Sequence, residues 1–238
     1  MTWKRLHILA EGPTEEQFAN DVIKPHLYQY AVNSSVQCIV TKRLRQGPDK
    51  KGGLTDYRKA REHLVRLMNE HKDTNCFFTT MFDIYHMPSS TEPEKSFPGY
   101  AEAMREIKSS HFEKGLTILA QKMKEDLQPE VPRVDRLLPY FQLHEFEALI
   151  FVDLSYLRFH YPVMCGDLQL EQLEQALQSA QSDPEKINHE NGPAARIIEQ
   201  IKTYRKPTGA MIAQDIGLFR LREKCHFFDL WLTSLEKL

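Results

Sequence analysis

Three short stretches of this sequence carry acidic residues at the ends of apolar runs. They are Leu-Ala-Glu-Gly-Pro-Thr-Glu-Glu at 9–16, Thr-Thr-Met-Phe-Asp at 79–83 and Gln-Leu-His-Glu-Phe-Glu at 142–147. In an open α/β sheet, the carboxyl ends of parallel strands line one crevice, and ligands bind there. Carboxylates brought to such a crevice make a hard-oxygen pocket suited to Mg²⁺ or Mn²⁺. The chemistry expected is therefore metal-assisted phosphoryl transfer, with Glu11, Asp83 and Glu145 as catalytic carboxylates and Glu11, Glu15, Asp83, Glu145 and Glu147 as metal ligands.

Each acid also has a structural reading. Glu15 and Glu16 lie in the first turn of an expected helix, where acidic side chains complement the helix dipole. That suffices for Glu16, whereas Glu15 is open between the two roles. Asp83 would serve as the Asx-turn that ends a strand, unless Glu11 stands beside it at the same sheet edge. Glu145 and Glu147 share a face on a continuing strand and diverge on a helix, so one of the two is expected to reach a metal. His144 could assist as a hydrogen-bond donor.

A basic segment supplies the phosphate side. Lys42, Arg43, Arg45, Lys50 and Lys51, with Gly52-Gly53 beside them, run on into Arg58, Lys59 and Arg61. Clusters of this kind grip a nucleic-acid backbone without reading its sequence; a solvated surface loop is the plainer alternative.

The elements that must position these residues follow from periodicity. Apolar or β-branched runs predict strands near 5–10, 36–41, 76–82 and 137–143. Helical spacing predicts helices over 14–30, 57–71, 100–109 and 112–126, with another starting at 145–151. The stretch 42–53 reads as a loop, as does 84–99 with its three prolines. Strand–helix alternation favours a mainly parallel sheet flanked by helices, the α/β class. Beyond about residue 161 the chain reads as helices over 168–180, 193–204, 209–216 and 218–235. The expected division is an α/β core over 1–160 and a helical C-terminal region, 161–238, packed on it.

Composition narrows the classes. A hydrophobic share of 41% in 238 residues is enough for a sizeable core. The net charge of −2 means that any nucleic-acid site must be a local patch. Four cysteines without a CxxC pair suggest neither zinc nor a disulfide framework. The first residues lack the apolar core of a signal peptide, and no apolar run nears the ~20 residues that span a bilayer. A cytoplasmic protein without a membrane partner is expected.

At these residues the sequence resembles the Toprim-like superfamily, and more closely a bacterial family within it filed as a domain of unknown function. The resemblance rests on Glu-Gly-Pro-Thr-Glu (11–15), Gly-Gly (52–53), Thr-Thr-Met-Phe-Asp-Ile-Tyr-His-Met-Pro (79–88), Phe-Pro-Gly-Tyr-Ala-Glu-Ala (97–103) and Gln-Leu-His-Glu-Phe-Glu-Ala-Leu-Ile-Phe (142–151). Ile-Gly-Leu (216–218) and Arg-Glu-Lys-Cys-His-Phe-Phe-Asp-Leu-Trp-Leu (222–232) extend it through most of the chain.

Toprim domains of primases, topoisomerases and OLD-type nucleases use a strand-end Glu and an Asp-x-Asp pair to handle a divalent metal and a phosphodiester. The resemblance matches Glu11 to that Glu, Glu15 to a second acid of the OLD type, and Asp83 to the first Asp. Tyr85 stands where the second Asp would be, and Ala194-Ala195-Arg196 stands where a more polar segment is expected. What the resemblance implies is a metal-dependent nuclease, with phage or mobile-element defence as its expected setting. Its ABC-type ATPase would be a separate chain, since this one has no Gly-x-x-x-x-Gly-Lys-Ser/Thr loop. The alternative is a non-catalytic Toprim-like subunit that binds a metal or a partner.

Overall fold

The computed structural model describes residues 2–42, 50–51, 54, 56–84, 87–89, 92, 95–187 and 191–238. The chain forms two compact units, each made of several stretches. Unit 1 is residues 1–16, 31–82 and 86–141; unit 2 is residues 17–30, 83–85 and 142–238.

Unit 1 is built on a parallel sheet. Strand β1 (Lys4–Ala10) pairs in parallel with β2 (Val32–Cys38) on one side and with β5 (Cys76–Asp83) on the other. Strand β6 (Leu137–Leu138) pairs in parallel with β5, giving the order β2-β1-β5-β6, and β7 (Phe141–Gln142) also pairs with β5. Leu6, Ile8, Leu9 and Ala10 are buried, as are Phe78, Thr79, Thr80, Met81 and Phe82. Near-continuous burial is what a strand covered on both faces requires. The expected α/β class and mainly parallel sheet are therefore what the chain adopts.

The expected strand over 137–143 is in fact two short pieces, split at Pro139. Proline has no N–H for the ladder. At the break, the Thr80 hydroxyl takes over: it donates to Tyr140 O (3.0 Å) and accepts from Tyr140 N (3.1 Å).

Among the described residues, three α-helices lie wholly within this unit: α3 (Tyr57–Glu70), α4 (Tyr100–Lys108) and α5 (Phe112–Leu127). Asp56 caps α3 by accepting from Arg58 N (3.1 Å), the role Asp favours at a helix start. The face of α3 carrying Tyr57, Ala60, Leu64, Leu67 and Met68 is buried, following its apolar spacing. Of the stretch expected as a loop over 42–53, the described residues Lys42, Lys50 and Lys51 instead belong to a ribbon, in which β3 (Val40–Lys42) pairs antiparallel with β4 (Lys50–Lys51).

The first helical stretch runs as α1 (Pro13–Phe18), a π-helical turn (Ala19–Ile23) and α2 (Lys24–Tyr28). Apart from the strand-end residues Asp83 and Gln142, the other elements of unit 2 among the described residues are helical. A 3₁₀ segment, Phe146–Val152, precedes α6 (Ser155–His160), α7 (Asp167–Ser179), α8 (Pro193–Gln200), α9 (Lys206–Ile216), α10 (Leu218–Lys224) and α11 (His226–Glu236). Phe18 anchors its core, 5.4 Å from the Phe146 ring and 6.1 Å from the Phe228 ring. Among the described residues no helix is long and apolar enough to cross a membrane.

Candidate functional site: buried carboxylates at the strand ends

In unit 1, Glu11 follows the last residue of β1. Its backbone N–H donates to Met81 O (2.9 Å), extending the β1–β5 ladder by one residue. The side chain is buried, and its Oε1 accepts from Leu54 N (3.1 Å). Glu15 is buried one turn on, its Oε2 accepting from Gly12 N (2.9 Å). That is the reciprocal half of a capping box, so Glu15 has a structural task in starting α1. The two buried carboxylates thus each accept a backbone N–H, Glu11 from Leu54 and Glu15 from Gly12.

In unit 2, Asp83, Glu145 and Glu147 gather around the start of the 3₁₀ segment. Asp83 Oδ2 accepts from Phe146 N (3.3 Å), the residue between the two glutamates. Glu145 is extended (φ −134°, ψ 158°), and its Oε2 accepts from Ala194 N (3.0 Å). Because Pro193 opens α8 without an N–H, Ala194 offers the first donor of that helix. The approach is close at the residue before it: a Cβ on Gly192 would stand 2.6 Å from Glu145 Oε2, so the carboxylate would have to shift to admit one.

Glu147 turns the other way and is 1% exposed. Its Oε1 accepts from the Tyr204 hydroxyl (3.3 Å). Its Oε2 has no hydrogen-bond donor among the described residues, and Lys206 Nζ lies 4.0 Å from it. Gly209 makes room for this arrangement, since a Cβ there would come within 2.5 Å of the Tyr204 oxygen. Burial pushes the Glu147 carboxyl above the ordinary carboxylate range; the Lys206 ammonium opposes this and the neighbouring Glu145 adds to it. Burial, and then Glu147 itself, raise the Tyr204 phenol in turn. So the two glutamates diverge, one to the start of α8 and one to Tyr204 and Lys206. His144 between the strand end and Glu145 is buried with a left-handed backbone (φ 74°).

Tyr204, Lys206, Gly192 and Gly209 were not singled out by the sequence. Gly192-Pro193 and Lys206-Pro207 do carry a helix-start signal, proline in the first turn. That signal locates a helix but not the carboxylate it meets.

The basic patch divides. Lys42, Lys50 and Lys51 are on the β3–β4 ribbon, while Arg43, Arg45, Gly52 and Gly53 lie outside the described residues, as does Tyr85. Arg58 and Arg61 are spent on acids rather than presented to a ligand. Arg58 clasps Asp56 (2.7 Å), and Arg61 bridges Asp126 (2.9 Å) and Glu130 (2.6 Å).

The donor chemistry suits Mg²⁺ or Mn²⁺, being carboxylate oxygen throughout. Among the described residues, no three His, Cys, Asp or Glu side chains are disposed to hold one ion. Mg²⁺ does not require such a cage. It keeps several waters and takes one or two carboxylates together with substrate phosphate, and the undonated Oε2 of Glu147 is an oxygen of that kind.

A family model described as a domain of unknown function (DUF4276) matches residues 10–236. No curated protein and no solved structure matches the chain.

Proposed function

The chain belongs to the DUF4276 family, and within it we propose a divalent-metal-dependent nuclease of Toprim type. The observation that carries the reading is the burial of Glu11, Asp83, Glu145 and Glu147 where strands end. Taking an ionised carboxylate out of water costs several kcal/mol, and a cation bound beside it offsets that cost. Mg²⁺ or Mn²⁺, when bound, polarises a phosphodiester and lowers the pKa of a coordinated water.

The chain's own residues have definite tasks in this reading. Glu11 in unit 1, and Asp83 with Glu145 or Glu147 in unit 2, are the candidate ligands. Tyr204 orients Glu147, and the backbone N–H groups of Phe146 and Ala194 orient Asp83 and Glu145. Lys42, Arg43, Arg45, Lys50 and Lys51 would hold the nucleic-acid backbone. A role in phage or mobile-element defence, with an ABC-type ATPase supplied separately, belongs to the same proposal.

The test is cleavage of DNA and RNA by the full chain with Mg²⁺ and Mn²⁺. The expected result is cleavage stopped by chelator and reduced at least about a hundredfold in Glu11→Gln and Asp83→Asn, since each removes a charged group that acts in the transition state. Cleavage indifferent to both the chelator and these substitutions would reject the proposal.

One observation favours a second reading, a non-catalytic metal- or partner-binding subunit. Glu15, Asp83 and Glu145 each accept a backbone N–H at a helix start, which is structural work. A chain that cleaves neither DNA nor RNA with either metal, and whose melting temperature still falls in Glu145→Ala, would select that reading; metal uptake by calorimetry then separates its metal-binding form from its partner-binding form.

A further inference from the structure

Unit 1 contains a cleft of about 790 Å³ lined from α3, α4 and the Ser96–Gly99 turn that leads into α4. Its volume falls within the range of small-ligand pockets, roughly 300–1,000 Å³. Three aromatic rings line it. Tyr57 and Phe97 pack edge to face, their centroids 4.9 Å apart, and are buried, while Tyr100 is half-buried and is the ring open to a ligand. Burial pushes the Tyr100 phenol above its ordinary value, so its ring faces the cleft neutral.

The charges of the lining are not equivalent. Arg58 and Arg61 are neutralised by the acids described above, and Asp126 is taken by Arg61 and the Tyr57 hydroxyl. Three exposed groups of the lining make no ion pair among the described residues: Arg105 and Glu102 on α4, and Glu62 on α3. The complement left for a ligand is therefore one half-buried tyrosine ring, one guanidinium and two carboxylates.

We propose that this cleft binds a nucleotide carrying a single phosphate and a base with an exocyclic amino group. The Tyr100 ring stacks the base, a contact available to every nucleobase. Arg105 receives the phosphate through its planar fork of donors. Glu62 and Glu102 accept from the amino group of adenine, cytosine or guanine; uracil has no amino group and presents only carbonyl oxygens and a ring N–H. Two carboxylates against one guanidinium also disfavour a di- or triphosphate, whose extra charge finds no partner. This goes beyond the cleavage reading and does not depend on it, because loss of catalysis would leave the cleft intact.

The test is titration calorimetry on the full chain with AMP, CMP, UMP, ATP and inorganic phosphate. AMP and CMP bind saturably, with UMP, ATP and phosphate at least about tenfold weaker, as the loss of one hydrogen-bonded charge implies. Tyr100→Ala and Arg105→Ala each weaken AMP about tenfold, the worth of one stacked base or one charge-assisted contact. Arg105 is exposed, so its variant keeps the wild-type melting temperature, which separates lost binding from lost folding. A single-stranded hexamer of deoxyadenylate supplies the second arm. Tighter binding than AMP assigns the cleft to an unpaired nucleotide within a strand; equal binding assigns it to the free nucleotide. Failure of every nucleotide to bind saturably, or unchanged AMP affinity in both variants, would overturn the proposal.

Discussion

Glu185 is 1% exposed, and its two carboxylate oxygens accept from Phe227 N (2.9 Å) and Phe228 N (3.2 Å) at the start of α11. Burial outweighs these hydrogen bonds and lifts the carboxyl to about 7. Between its unfolded value of 4.5 and that folded value, the folded chain keeps a proton that the unfolded chain releases. Its contribution to stability is therefore fully present below pH 4.5, declines as pH rises to about 7, and is level above that. The span corresponds to about 3 kcal/mol. Urea unfolding of wild type and Glu185→Gln at pH 5 and pH 8 measures it. The variant should gain relative to wild type at the higher pH, and an equal difference at both values would refute the assignment. At this same scale the strand-end acids Glu11 and Asp83 were legible, because a carboxylate directly after a buried apolar run has few places to go. The partners were not. Tyr204 meets Glu147 across 57 residues, and nothing local in either stretch announces the other.

Helix α8 shows how an element depends on a side chain that the sequence does not place beside it. Its first donor is satisfied by Glu145, 49 residues earlier, and Gly192 keeps the carboxylate's path open. Gly192→Ala should displace Glu145 from Ala194 N and cost about 1–2 kcal/mol, the worth of an N-terminal cap. Glu145→Ala should cost a similar amount, and the double variant little more than either, because both remove one interaction. Urea unfolding of the three variants decides the point: strictly additive losses would mean that Gly192 acts by some other route. Elements with strong periodicity were read closely, α3 and β5 among them. Strand β2 begins at Val32 rather than near 36, because Asn33, Ser34 and Ser35 lack the β-branched signature although Ser34 is buried in the sheet. The expected strand 36–41 includes Val40 and Thr41 of β3, but Lys42 and the two lysines of β4 carry no strand signal.

At the scale of the whole molecule, the alternation of strands and helices was enough to give the parallel sheet, but the division of the chain depends on distant pairs that no local pattern reveals. The chain passes between the two units five times, at 16/17, 30/31, 82/83, 85/86 and 141/142. A fragment ending at residue 160 would keep Phe18 and Phe146 but lose Phe228, their partner in the core of unit 2, together with Ala194, Tyr204 and Lys206. Such a fragment should retain helical far-UV dichroism while losing near-UV signal and a cooperative melt, the signature of lost side-chain packing. A sharp, reversible melt of that fragment would contradict this. The interleaving also bears on inheritance. Recombination moves contiguous stretches of a gene, and unit 2 is written in three separate ones. No single crossover can transplant it or replace it, so the two units must pass from ancestor to descendant as one piece, each drifting under the constraint of the other.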